Sequence, residues 1–369
     1  MTIARPQFER RVVAALEAVP PRMPVLVGGC GTGRTHLLRA LREHLGLDSC
    51  QYLDVERSAS TPERMLRSVI TTSPFHAADV GADAPSPRAA FDALLAFFQG
   101  ARGPAGAPVT FLLDEVLEFR TFENFPGLRH VLGDLIDGLT RSTNRFVLTT
   151  RYVTRALRFF RDHAGPVELI ALTPLSAEEV RAVVPAAQAA DPDLVGAIHA
   201  LSDGHAGYAR AIGEAMASLR GADPISALAS LLAPEAELTR EMTYSYELRL
   251  HRARGYGALK GILDILASEE PLTLTEIALR LQRTPGSTKD YLSWLEDVDL
   301  VTVRQKRYSF ADPVLRLWVR LHARPMPPGV DDVAREVQAY AVARLPQTEP
   351  SLAVAGPAER KPWGIIEID

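Results

Sequence analysis

The sequence has little cysteine, no long apolar run and no excess of positive charge. Its 369 residues include two cysteines, Cys30 and Cys50, too few for a disulfide framework, which favours a reducing compartment. The N-terminal stretch alternates charged and apolar side chains and never builds the apolar run that a membrane span or export signal requires. The formal net charge of −4 argues against a general attraction to nucleic acid, although it leaves room for a local basic patch. We therefore expect a cytoplasmic protein without a membrane segment.

The length and the 47% apolar composition indicate a globular chain of about two or three domains. Short apolar segments alternate with helical patterns in the first half, which predicts a parallel sheet covered on both faces. The predicted strands lie at residues 24–27, 51–55, 109–113, 145–150 and 167–172. The pattern becomes wholly helical from Ser176, which forms a predicted capping box with Glu179. We place a domain boundary at residues 173–174.

A glycine-rich segment, GGCGTGRT, follows the first predicted strand and precedes a predicted helix at 35–44. Its spacing is that of a phosphate-binding loop, in which glycines let backbone amides point at an anion and the helix N-terminus adds its dipole. The alternative interpretation is a glycine-rich turn that binds no ligand. The strand before the segment and the helix after it make this alternative the weaker one. The predicted nucleotide-binding residues are the loop and the first residues of the helix: Gly28, Gly29, Cys30, Gly31, Thr32, Gly33, Arg34, Thr35 and His36.

Arg34 stands where such loops normally carry a lysine. By the template, Arg34 reaches the β- and γ-phosphates and Thr35 supplies its hydroxyl to Mg²⁺. The planar fork of arginine binds phosphate well but is bulkier than an ammonium group. The substitution is therefore expected to preserve binding better than hydrolysis, because phosphoryl transfer depends on close positioning.

The third predicted strand ends in two adjacent carboxylates, Asp114 and Glu115. Ligands of open α/β sheets bind at this carboxyl edge. Asp114 is predicted to hold Mg²⁺, and Glu115 is predicted to orient or deprotonate the attacking water. Such a pair alone is a weak signal, most often a solvated loop; after the glycine loop it becomes strong.

Together these segments resemble the P-loop NTPases of the AAA+ and STAND kind, specifically the archaeal-type ATPase group related to the Orc1/Cdc6 initiators. The resemblance spans roughly residues 5–322 and rests on GGCGTGRTHLL, FLLDE, FVLTTR, LTPLSAEEV and YSFADPVLRLW. It implies a P-loop α/β core with a RecA/AAA+-like parallel sheet, a helical lid and a C-terminal winged helix-turn-helix domain. The expected boundaries are 1–173 for the core, 174–255 for the lid, 256–324 for the winged helix and 325–369 for a C-terminal helix with a disordered tail.

The same resemblance implies ATP and Mg²⁺ as cofactors and adds further site residues. Thr149 or Thr150 would be the polar sensor of the γ-phosphate or the attacking water, with Arg151 beside it. Arg210 would reach the γ-phosphate from the lid, although a solvated helix residue is an equal alternative. Arg129 and Arg141 are both candidates for an arginine finger in a neighbouring subunit, and the sequence selects neither.

The predicted winged helix at 256–324 carries balanced charge, so its role stays open between DNA binding and protein interaction. Its basic residues concentrate at the turn and in the wing, where phosphate contacts would fall. The candidate DNA contacts are Arg283, Lys289, Arg304, Lys306 and Arg307.

Three smaller features have two interpretations each. Cys30 is either a small neutral filler of the loop or a redox-sensitive thiol. The series Phe119, Phe122 and Phe125 is either a core cluster or a partner-contacting loop. The C-terminal WGIIEID, residues 363–369, is either a frayed end or a docking peptide.

The function expected from the sequence is an ATP-binding switch that hydrolyses ATP and couples its lid and winged helix to a protein partner; the sequence leaves oligomerisation open. Two alternatives remain: a DNA-binding initiator-like regulator with structural ATP, and a hydrolysis-dead scaffold.

Overall fold

The computed structural model describes residues 5–78, 80–162, 165–219, 221–251, 255–322 and 326–345. Residues 346–369 lie outside these ranges, and with them the predicted tail and the WGIIEID segment.

The first part of the chain alternates strands and helices, as predicted. Its strands are β1 (Met23–Val27), β2 (Cys50–Asp54), β3 (Thr110–Asp114), β4 (Arg145–Thr150) and β5 (Val167–Ala171). Its helices are α1 (Pro6–Glu17), α2 (Arg34–Leu45), α3 (Val55–Ser58), α4 (Pro62–Thr72), α5 (Pro87–Gly100), α6 (Val131–Thr140) and α7 (Val153–Asp162). Two 3₁₀ segments, Pro104–Gly106 and Val116–Asn124, flank β3.

The five strands form one parallel sheet in the order β2-β3-β4-β1-β5. Every residue of β1 and β3 is buried, as expected for central strands covered on both faces. The carboxyl ends of β1, β3 and β4 therefore meet at one edge, and the residues after them are brought together. The predicted α/β fold class is confirmed.

Aromatic side chains fill much of one side of this sheet. Phe98, Phe111 and Phe146 pack with ring centroids 5.0 to 6.3 Å apart. Phe119 and Phe122 are fully buried in the same cluster, so the aromatic series after Glu115 belongs to the core.

A helical segment follows, with α8 (Ala177–Arg181), α9 (Ala186–Ala189), α10 (Pro192–Ser202), α11 (Ala206–Ser218), α12 (Pro224–Leu231) and α13 (Glu237–His251). Its first helix begins with the predicted capping box, in which Ser176 and Glu179 satisfy each other's backbone amides.

The last described part combines helices with a small antiparallel sheet in the order β6-β8-β7. Its elements are α14 (Tyr256–Ser268), β6 (Leu272–Thr273), α15 (Leu274–Leu281), α16 (Pro285–Asp297), β7 (Val301–Arg304), β8 (Arg307–Phe310), α17 (Pro313–His322) and α18 (Val330–Val342). Helix, helix, helix and hairpin follow in the order predicted for residues 256–322.

Candidate nucleotide site

The glycine-rich loop joins β1 to α2 at the carboxyl edge of the sheet. Gly31 and Gly33 have φ angles of +75° and +83°, in the left-handed region that glycine adopts without strain. The loop is held internally, because the hydroxyl of Thr32 donates to the carbonyl of Gly29 over 2.9 Å. It is held to the sheet as well, since the amide of Gly28 donates to the carbonyl of Thr150 over 3.3 Å. The loop thus has the strand, glycine and helix context that the phosphate-binding template requires.

The side chain of Arg34 turns back across the loop. Its Nη1 donates to the carbonyl of Gly28, and its Nη2 donates to Glu115 Oε1 over 2.8 Å. Both partners of this ion pair are about nine-tenths buried. Among the described residues, the buried Nε of Arg34 has no hydrogen-bond partner. The guanidinium group therefore links the first glycine of the loop to the carboxylate after β3.

Glu115 is held from three sides. Its amide donates to Thr149 Oγ1 over 3.1 Å, and its Oε2 accepts the amide of Arg151 over 3.0 Å, in addition to the ion pair with Arg34. Burial raises the pKa of Glu115, and the positive charges of Arg34 and Arg151 oppose the rise. Its φ angle of +59° is unusual for a residue with a side chain and is the kind of backbone strain that recurs at functional sites.

Asp114 accepts hydrogen bonds from three hydroxyl groups. Thr35 Oγ1 and Tyr52 Oη each donate to Oδ2 over 2.8 Å, and Thr149 Oγ1 donates to Oδ1. Thr35 lies in the first turn of α2, so its hydroxyl and the Asp114 carboxylate face each other across the site. Hydroxyl and carboxylate oxygens are the donors that Mg²⁺ prefers, and the two residues fit the predicted metal role. In the described part of the chain, no three or more His, Cys, Asp or Glu side chains form a cluster that could hold a metal ion.

A cavity of about 260 Å³ lies on the α2 side of the loop. It is bounded by the N-terminal turns of two helices, α2 and α11, and by His36 and Arg210. Helix N-termini attract anions through unpaired amides and the helix dipole. Burial lowers the pKa of His36, as do the nearby Arg39 and Arg210, so its imidazole tends to be neutral. The cavity is thus suited to a phosphorylated ligand.

The two sensor candidates, Thr149 and Thr150, differ in their contacts. Thr149 contacts both Asp114 and Glu115, whereas the hydroxyl of Thr150 accepts the amide of Tyr152 over 3.2 Å. The side chain of Arg151 binds Glu56 and Glu118. Arg210 is 58% exposed at the mouth of the cavity, consistent with either of its two interpretations. Both finger candidates are exposed: Arg129 and Arg141.

The opposite side of the loop contacts the helical segment and the C-terminal segment at three consecutive residues. A Cβ atom on Gly29 would lie 3.1 Å from Asp299 Oδ2, and Arg249 Nη2 lies 3.0 Å from Cys30 Sγ. A Cβ atom on Gly31 would overlap the ring of His205, which lines the 260 Å³ cavity as well as the opposite side of the loop. Burial raises the pKa of Asp299 to about 6 and lowers the pKa of His205. A second cavity, of about 310 Å³, lies on this side between the loop, Arg249 and Asp299.

The five candidate DNA contacts are exposed, just before α16, within α16 and in the β7–β8 hairpin: Arg283, Lys289, Arg304, Lys306 and Arg307. Arg307 also lies 3.8 Å from Glu276, and Arg283 lies over the ring of Tyr291. In the described ranges, no helix is both long and apolar enough to cross a membrane.

Sequence reasoning missed Tyr52, His205, Arg249 and Asp299. Tyr52 lies in the middle of β2, and its approach to Asp114 follows from the pairing of β2 with β3, which the sequence alone does not show. His205, Arg249 and Asp299 approach the loop from 174 to 270 residues away, and no local pattern marks them.

No family model and no curated protein matches the chain. Among solved structures, the Walker-type ATPase of Pyrococcus abyssi is 18% identical with a TM-score of 0.64, and the match covers 86% of this chain and 96% of that one. The Orc1 protein of Aeropyrum pernix in complex with DNA is 18% identical with a TM-score of 0.45, covering 91% and 92%. RuvB of Thermotoga maritima is 13% identical with a TM-score of 0.42, covering 84% and 93%. By its match to the Pyrococcus protein, the chain has the α/β fold of a Walker-type ATPase, in agreement with the predicted parallel sheet.

Proposed function

We propose that this protein binds Mg²⁺ and ATP at the loop between β1 and α2 and acts as a nucleotide-dependent switch with slow hydrolysis. The observation that carries the proposal is the 260 Å³ cavity bounded by the phosphate-type loop, two helix N-termini and Arg210. Among its lining residues in the described chain there is no carboxylate side chain, so an anion entering it meets no repulsion at the wall.

Thr35 and Asp114 would hold the metal ion. The ion would neutralise phosphate charge and so lower the barrier to phosphoryl transfer. The hydroxyl of Thr35 must leave Asp114 to face the ion, and Tyr52 and Thr149 would keep the carboxylate in place. Removing any one of these hydroxyls is expected to weaken binding of the nucleotide more in the presence of Mg²⁺ than in its absence.

Arg34 would make hydrolysis slow. Glu115 is the group suited to orient or accept a proton from water, and it is held by Arg34 over 2.8 Å. A carboxylate engaged by a guanidinium group is a poorer base, because its charge is already compensated. Binding of a triphosphate would draw Arg34 toward the phosphates and release Glu115, so turnover would be limited by that exchange.

The switching part of the proposal rests on the three contacts that later parts of the chain make with Gly29, Cys30 and Gly31 of the loop. Asp299, Arg249 and His205 belong to the helical and C-terminal segments, and each reaches a different loop residue. A phosphate group that reorders the loop amides would alter all three contacts together. Nucleotide state would in this way change the surface offered to a protein partner.

The test is the binding of ATP with and without Mg²⁺ to the wild type and to Thr35→Ala. We expect wild-type binding to tighten when Mg²⁺ is added, and Thr35→Ala to lose most of that gain while metal-free binding persists. Arg11→Ala is a suitable control, since its exposed ion pair with Glu168 lies away from the loop. Absence of ATP binding in the wild type would overturn the proposal.

DNA binding is a second candidate, supported by the exposed cations of the hairpin turn, Arg304, Lys306 and Arg307. Phosphate contacts of this kind weaken as salt concentration rises. Salt-dependent binding to duplex DNA that is lost when these three charges are reversed would support it. Salt-independent or absent binding would leave the protein-partner switch as the function.

A further inference from the structure

A cavity of about 400 Å³ lies between α17 and α18. It shares no lining residue with the 260 Å³ cavity at the N-terminus of α2. Its walls carry the side chains of three arginines, Arg316, Arg320 and Arg344, and one carboxylate, Glu336. Arg316 and Arg320 lie one turn apart on α17, so their side chains emerge on the same face.

Carboxylates orient these arginines from the edges of the cavity. Arg320 Nη2 lies 2.8 Å from Glu336 Oε2, Arg344 Nη1 donates to Asp203 Oδ1 over 3.0 Å, and Arg316 Nε lies 3.3 Å from Glu270 Oε1. Arg344 also lies over the ring of Tyr340, 4.7 Å from its centroid. The hydroxyl of Tyr340 donates to the carbonyl of Leu201, which ties α18 to the end of α10. The guanidinium groups are therefore held in place before any ligand arrives.

The lining of the cavity carries fewer negative than positive side chains. Of the three carboxylates, only Glu336 lines it, and Asp203 and Glu270 approach from outside. The buried Nε of Arg316 is paired with Glu270 by charge, but the pair lacks hydrogen-bond geometry, and this Nε makes no hydrogen bond within the described residues. Burial lowers the pKa of Arg316, and the charges of Arg320 and Arg344 lower it further against the attraction of Glu270. Because three arginines and only one carboxylate line the cavity, guanidinium N–H groups remain that can donate hydrogen bonds to a further anion.

We propose that this cavity binds a phosphate group, carried either by a small phosphate ester or by a nucleic-acid backbone. Guanidinium groups match the oxygens of a phosphate through paired N–H donors, and several of them together give the strongest such sites. The cavity is large enough for a phosphate with part of the molecule attached to it. The site is separate from the nucleotide site proposed above and does not depend on it.

The experiment measures binding of inorganic phosphate to the full chain by calorimetry at constant ionic strength, with chloride as the balancing anion. The variants are Arg320→Gln and Arg344→Gln, which change partly exposed side chains and leave Arg316, whose Nε atom is buried, in place. Arg335→Gln is the matched control, because Arg335 lies on α18 and pairs with Asp332 at the surface. Arg210→Gln, which changes a lining residue of the 260 Å³ cavity, identifies any phosphate that binds at the α2 loop instead.

We expect a saturable phosphate site in the wild type that weakens at least about tenfold in Arg320→Gln and Arg344→Gln and is unchanged in Arg335→Gln and Arg210→Gln. The circular dichroism spectrum and melting temperature of each variant show that it is folded. Phosphate affinity that is the same in Arg320→Gln, Arg344→Gln and Arg335→Gln would overturn the proposal. No saturable binding by the wild type would overturn it as well.

Competition identifies the source of the phosphate group. A short DNA duplex that displaces inorganic phosphate, and whose own binding weakens in the same two variants, would assign the site to a nucleic-acid backbone. A duplex that leaves phosphate bound would assign it to a small phosphate ester.

Discussion

The two sides of the loop between β1 and α2 differ in charge and in what covers them. On the α2 side, two helix N-termini, His36 and Arg210 border a cavity with no carboxylate side chain among its lining residues. On the other side, Asp299 and Asp312 line the second cavity together with Arg249 and Arg304. Mixed charges are expected where parts of one protein meet, whereas a wall of positive potential is expected where an anion binds. This difference supports the proposal that a ligand binds on the first side, while the second side carries contacts within the protein.

Gly31 is the residue at which the two sides meet, and changing it should have the largest effect. Gly31→Ala would place a methyl group into the ring of His205 and would force alanine to a φ of +75°. We expect the free energy of unfolding to fall by about 2 to 4 kcal/mol. Chemical denaturation measures it.

Gly286→Ala is the control for this change, because an added methyl group there meets nothing within 4 Å. The control should alter stability by less than about 1 kcal/mol. Equal stabilities of the two variants would show that His205 does not pack against the loop as described.

Asp299→Asn should have the second-largest effect on the free energy of unfolding, and this effect should depend on pH. Burial raises the pKa of Asp299 from 3.8 to about 6. A carboxyl whose pKa is raised by folding binds its proton more tightly in the folded state, so stability falls as pH rises from about 4 to about 6 and stays low above. Asp299→Asn should therefore raise the free energy of unfolding by about 1 to 3 kcal/mol at pH 7.5 and by little at pH 4.

Asp290→Asn, an exposed change on α16, is the matched control and should show no such pH dependence. A stability gain for Asp299→Asn that is the same at both pH values would mean that ionisation of Asp299 does not oppose the contact with the loop.

Arg210 should give the smallest effect. It is 58% exposed, so its attraction to a phosphate is screened by water. Arg210→Gln should weaken ATP binding by about fivefold, equivalent to about 1 kcal/mol, with no change in melting temperature. Arg240→Gln, at an exposed position on α13, should leave the affinity unchanged. Unchanged affinity in Arg210→Gln as well would favour the solvated-helix interpretation of Arg210.

The α2 side of the loop could be predicted because its signals are local. The glycine spacing, the preceding apolar strand and the Asp-Glu pair each lie within a short segment of the sequence. The parallel sheet then brings the carboxyl ends of the strands that carry them to one edge. Asp114 and Thr35 lie together for this reason, at 2.8 Å. The capping box at Ser176 was equally readable from four residues.

The other side could not be predicted, because its contacts join distant parts of the chain. Cys30 and Arg249 are 219 residues apart, and nothing near either one indicates the other. The orientation of Arg34 was also outside the reach of the sequence. The phosphate-loop template predicts that this side chain reaches the phosphates. In the structure it binds Glu115 instead, because a buried guanidinium group needs an acceptor and the carboxylate supplies one.

The central claim is that Arg34 restrains hydrolysis by holding Glu115. A lysine has one compact ammonium group and cannot bind the Gly28 carbonyl and Glu115 with the same planar fork. The most direct measurement is single-turnover release of the γ-phosphate from Mg²⁺-ATP by the wild type, Arg34→Lys and Glu115→Gln, with ATP binding measured in parallel. The account predicts release at least about tenfold faster in Arg34→Lys than in the wild type, and binding without release in Glu115→Gln. Release by the wild type that is as fast as, or faster than, release by Arg34→Lys at equal ATP occupancy would contradict it.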